Sequence, residues 1–111
     1  MTLVIHAPKH REIDGAKSFE AVLKDGIGTG YAIYPKYLSK LNPGIKVVLL
    51  RNDKNRRRAE GTLSRSPIPT SEKTSQGIQR YDIHIKNLKE VTYRRPPERL
   101  NHFGIAIIGD C

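Results

Sequence analysis

One cysteine, one methionine and no tryptophan occur among 111 residues. The lone thiol, Cys111, cannot close an internal disulfide, so the fold must rest on its own core. A chain of this length can bury one modest core without a staple, and it fits a single domain, 1–111. Long apolar runs are also missing. The longest near the C-terminus, Ile105-Ala106-Ile107-Ile108, is far too short to cross a bilayer. Met1 to Pro8 lacks the basic start and the apolar stretch of a secretory signal, so the expected residence is cytoplasmic, away from membranes. No Gly-Lys-Ser/Thr and no G-x-G-x-x-G follow a strand, which argues against a nucleotide cofactor. The four histidines, His6, His10, His84 and His102, are scattered. His6 and His10 have the i, i+4 spacing of a helical metal pair, but Pro8 between them argues against the helix, and no metal site is expected.

Acidic residues are the shortage with the most consequence. Eleven Asp and Glu face twenty Lys and Arg, a formal net charge of +9. Residues 1–40 hold six cations against four carboxylates, and residues 41–111 hold fourteen against seven, so the second part supplies +7. Its focus is Arg51-Asn52-Asp53-Lys54-Asn55-Arg56-Arg57-Arg58. A compact domain with such a patch gains free energy by displacing counterions from a polyphosphate. Arginine suits the task, because its planar fork grips phosphate oxygens in pairs. The expected phosphate contacts are Arg51, Lys54, Arg56, Arg57, Arg58 and Arg65, with Arg80, Arg94 and Arg95 extending the track once strands bring them together.

Hydrophobic spacing gives the organisation. Thr2 to Ala7, stopped by Pro8, predicts a first strand. Phe19, Val22 and Leu23 predict one buried face of a helix over 16–25, capped by Asp14 or Ser18 and stopped by Gly26. Gly26 to Gly30 reads as a glycine-rich link. Pro35 suits the first turn of a second short helix carrying Leu38 and Leu41, closed by the turn Asn42-Pro43-Gly44. From Ile45 the pattern is β: a doubly buried strand to Leu50, a hairpin tip over 53–55, and a return strand in which Ala59, Gly61 and Leu63 alternate with Arg58, Glu60 and Thr62. Pro67 to Gln76 reads as a polar loop. Tyr81, Ile83 and Ile85 mark the clearest strand, Leu88 to Tyr93 another at an edge, and Gly104 to Ile108 a last one. Helices segregated from a run of strands predict an α+β fold. The expected form is a small mixed or antiparallel β-barrel with one or two helices inserted in the N-terminal half.

Tyr34-Pro35, Asn42-Pro43-Gly44-Ile45-Lys46-Val47-Val48-Leu49 and Ala59-Glu60-Gly61-Thr62-Leu63 stand in an order that resembles the PUA-like superfamily of PUA, ASCH and EVE domains. In that superfamily a Pro-Gly turn delivers the chain into a barrel strand, and the next strand carries a small residue followed by Gly. The resemblance implies a pseudo-barrel that binds RNA or modified DNA in a cleft beside the helical insertion, with Gly28, Gly30, Tyr31 and Tyr34 near that cleft. Tyrosine rings there would stack on an unpaired base. The chain lacks the tryptophan that walls a modified-base pocket in better-marked members, which leaves general backbone binding.

The function expected is non-enzymatic nucleic-acid binding, RNA or DNA, with no cofactor. The runner-up is a module that docks an acidic protein partner through the same basic run. Further behind stands a small nucleic-acid hydrolase using His6 or His84 with Asp82 or Glu60. A cyclic-dinucleotide receptor is disfavoured, because the motif that accompanies clustered arginines in that class, Asp or Asn then x-Ser-x-x-Gly, is absent downstream.

Overall fold

The computed structural model describes residues 1–6, 19–51, 56–93 and the backbone of 105–108. Seven strands and two short helices occur among them: β1 (Thr2–His6), α1 (Phe19–Asp25), β2 (Ile27–Ala32), α2 (Pro35–Leu38), β3 (Lys46–Arg51), β4 (Arg57–Leu63), β5 (Ile68–Lys73), β6 (Gln79–Val91) and β7 (Ile105–Ile108). The strands form one strongly curled sheet, a half-barrel, in the order β2-β6-β4-β3-β1-β7. β5 pairs with the first part of β6. β1 and β3 run parallel and the remaining pairs are antiparallel, so the sheet is mixed.

The curl follows from which faces need covering. Leu3, Ile5, Val47, Leu49, Ala59, Leu63, Ile83 and Ile85 line the inner face and are buried together with Tyr31 and Ile33. Both helices pack into this concavity: α1 inserts Phe19 and Val22, and the segment of α2 contributes Leu38 and Leu41. Pro35 opens α2 at its first position, and Gly26 closes α1 by donating to the Val22 carbonyl at 2.7 Å. On the outer face Val4, Val48 and Leu50 form a second, smaller cluster with Tyr93 packed on it. β1 and β3 are thus apolar on both faces, as a parallel pair usually is.

Several elements differ from the reading of the sequence. The glycine-rich link is mostly strand: β2 begins at Ile27, and Gly28 lies so close to the Tyr31 ring that a Cβ there would stand 2.7 Å from Cε2. A bulge between Gly28 and Tyr31 breaks the ladder to β6. The expected polar loop contains β5, an exposed edge strand whose lack of burial left no hydrophobic alternation to read. The two strands expected over 77–93 are one, β6, thirteen residues long. The first turn of the predicted helix over 16–25, the hairpin tip over 53–55 and the Pro96-Pro97 segment lie outside the described residues.

A bulge holds β6 together across that length. Glu60 pairs with Lys89 and Thr62 with Lys86, so two steps along β4 meet three along β6. Asn87, at φ 56°, absorbs the extra residue in the left-handed region, where asparagine is tolerated better than most side chains. Opposite it stands Gly61, where a Cβ would lie 2.7 Å from Ile85 Cγ2, 2.9 Å from the Lys86 carbonyl oxygen and 3.1 Å from Leu88 Cα. The bulge therefore requires a residue without a side chain on β4. Gly61→Ala is expected to lower stability by about 1–3 kcal/mol, the usual cost of overpacking. Urea unfolding with an unchanged midpoint would show that the bulge yields without cost.

Candidate nucleic-acid interface

The described arginines of the basic run, Arg51, Arg56, Arg57 and Arg58, do not form one patch. Arg57 faces inward with Ala59. Its guanidinium lies over the Phe19 ring, 4.6 Å from the centroid. It donates from Nε and Nη2 to Glu90 at 2.8 and 2.7 Å, and from Nη1 to Glu20 at 2.9 Å. The hydrogen bonds to Glu90 raise the arginine's pKa further and hold the Glu90 carboxyl below the usual carboxylate range. Arg57 thus ties α1 to the sheet and is not a contact for an external phosphate. Arg51 stands directly across from it on the same pleat face as Val47 and Leu49, and is buried. Arg58 faces outward but is also buried, donating from Nε to Glu60 at 2.8 Å.

Arg80 and the cleft residues have other duties too. The bulge in β2 leaves the Gly30 N–H and carbonyl without ladder partners. Asp82 accepts from that N–H at 3.2 Å, and Arg80 Nη1 donates to that carbonyl at 2.7 Å. Gly30 has φ +75°, a conformation glycine adopts without strain. Gly28 and Tyr31 are buried, and the Tyr31 hydroxyl donates to the His6 carbonyl at 3.0 Å. Burial pushes that hydroxyl's pKa well up. Tyr31 is a core residue and offers no ring to a base. Tyr34 keeps partial exposure at the start of α2, edge-on to Tyr37 at 6.3 Å, with Lys36 and Lys40 over the Tyr37 ring. Arg65 is exposed in the β4–β5 connection. Lys54, Arg94 and Arg95 lie outside the described residues.

A different set of cations comes together on the outer face. The register aligns Lys46, Thr62 and Lys86 in one cross-strand row, Val48, Glu60 and Lys89 in the next, and Leu50, Arg58 and Val91 in the third. Arg56 follows, exposed, 5.9 Å from the centroid of the Tyr93 ring. Four cations from three strands, Lys46, Arg58, Lys86 and Lys89, therefore stand around one carboxylate, Glu60, among the described residues. Lys46 donates to it at 3.0 Å from the side opposite Arg58. Partial burial pushes the Glu60 carboxyl up, but the hydrogen bonds from Lys46 and Arg58 outweigh this and hold it low. Lys86 and Lys89 are exposed, with no carboxylate partner among the described residues. Lys46, Lys86 and Lys89 escape a reading of local charge because none of them belongs to a cationic run. The bulge at Asn87 is what turns Lys89 to the same face as Lys86.

Among the described residues no three His, Cys, Asp or Glu side chains gather as metal ligands, and no helix is long and apolar enough to cross a membrane. Comparison of the chain with protein families, with characterised proteins and with solved structures finds no match.

The two carboxyls held low give a pH signature. Glu60 and Glu90 bind a proton less readily in the folded chain than in the unfolded one, so their stabilisation is present above about pH 4.3 and is lost as pH falls through the lowered values. Both sites are partly exposed, so each contributes about 0–1 kcal/mol. Thermal unfolding between about pH 5 and pH 3 should destabilise the native chain more than a Glu60→Gln, Glu90→Gln variant, whose profile is flatter. Parallel profiles would contradict this.

Proposed function

We propose that the chain is a PUA-like small barrel that binds nucleic acid without catalysis, RNA or DNA, in the cytoplasm. The contact surface is the exposed part of the outer face, where Lys46 of β3 and Lys86 and Lys89 of β6 stand. One observation carries the reading: Lys46, Arg58, Lys86 and Lys89 stand around Glu60, the one carboxylate among the described residues of those rows, on one sheet face of a chain with net charge +9. Counterion release rewards such a face for meeting phosphates. Lysines reach phosphates as point charges and carry little base information, so binding is broad in sequence. Arg57 and Arg51 have no part in it.

Lys86→Gln with Lys89→Gln tests the reading, because both side chains are exposed and outside the core. The double variant should weaken binding to all sequences alike. It should also flatten the dependence of log K on log salt by roughly 0.7–0.9 for each phosphate no longer neutralised, read by fluorescence anisotropy between about 50 and 200 mM salt. Unchanged affinity and slope would remove this face as the contact surface.

A further inference from the structure

The outer face is not uniform along the strands. Its Lys46–Lys86 end carries ammonium groups and the Thr62 hydroxyl. Two rows on, about 13 Å at the usual rise of a strand, its character changes. Val91 is 38% exposed there, across from Arg58. Arg56 lies next to it with its guanidinium over the Tyr93 ring, and Tyr93 itself is seated on Val4, Val48 and Leu50. A guanidinium is itself planar, and an exposed one beside an aromatic ring is the kind of surface on which an unstacked base settles.

From this polarity we infer that the ligand is a single strand. Its phosphates follow Lys46, Lys86 and Lys89, and an unpaired base lies against Val91 and the Arg56–Tyr93 pair. The inference rests on the proposed nucleic-acid reading and narrows it. A duplex turns its phosphates outward and buries its bases, so it would use the lysine end and leave the apolar end bare. A single strand presents charge and ring faces side by side, matching both ends. An acidic peptide without aromatic side chains would match the lysines alone.

The test is anisotropy with a labelled single-stranded oligopyrimidine and with a hairpin duplex of the same charge, at one salt concentration. The single strand is expected to bind at least about fivefold more tightly, the low end of a base-stacking contribution. Arg56→Lys keeps the charge, removes the plane and alters an exposed position, so the fold is retained. It should weaken the single strand by about the same factor, leave the duplex unchanged and leave the salt slope intact. Equal affinities for the two forms, with no effect of Arg56→Lys, would overturn the inference and leave phosphate binding standing. Binding of poly-glutamate with neither nucleic acid bound would overturn both.

Discussion

The single-residue bulge at Asn87, opposite Gly61, sets the rest of the arrangement. In an unbroken strand the alternation that puts Ile83 and Ile85 inside would continue to residues 87, 89 and 91. The extra residue reverses the phase. Leu88 and Glu90 turn inward, and Lys86, Lys89 and Val91 share the outer face. Without that reversal Lys89 would point at the apolar concavity, and Glu90 would stand among the outer cations. One backbone irregularity thus sorts the charges at the end of β6 by sign, Glu90 in and Lys89 out.

That sorting explains why consecutive arginines play unlike parts. Arg57 goes inward and meets Glu90, which the bulge has placed there, and Glu20 and Phe19 from α1. Each ion pair is partly solvated and worth little by itself. Their joint effect is positional, fixing the short α1 against the mouth of the curled sheet. Arg58 goes outward and shares Glu60 with Lys46, and that carboxylate limits the repulsion among the outer cations. Arg56 lies just before the strand and rests on Tyr93. The net charge of the chain is visible in composition, but the surface that displays it is set by strand register.

Where burial is strong, the fold is readable from sequence. Val47 to Leu50 is apolar on both faces because the inner core takes Val47 and Leu49 and the outer cluster with Tyr93 takes Val48 and Leu50, and the dense β-branched run is plain to see. Ala59, Gly61 and Leu63 alternate because one face of β4 meets the core. Where a strand lies at an edge the signal fades: β5 buries almost nothing, and its Pro69 and charged residues read as loop. The glycines of β2 conceal a strand, since Gly28 is there to admit the Tyr31 ring and Gly30 to turn a bulge. The neutralising partners of Arg57 lie 37 and 33 residues away in sequence, beyond any local pattern. Lys46, Lys86 and Lys89 are ordinary one at a time and become a surface only when three strands are in register. Tyr31, Arg51, Arg57 and Arg80 looked available for a ligand because side-chain chemistry is legible in sequence and burial of a lone polar residue is not.

The central question is whether nucleic acid meets the outer face of this chain. A two-dimensional amide NMR titration with a short single-stranded oligonucleotide, repeated at low and high salt, addresses it directly. The largest shifts are expected on Arg56 and on Arg57 to Thr62 of β4, and on Lys86 to Val91 at the end of β6 with Tyr93 just beyond it, and they should shrink as salt rises. Shifts centred on Tyr34 and α2, or a titration that salt does not change, would rule out the outer face as the binding surface.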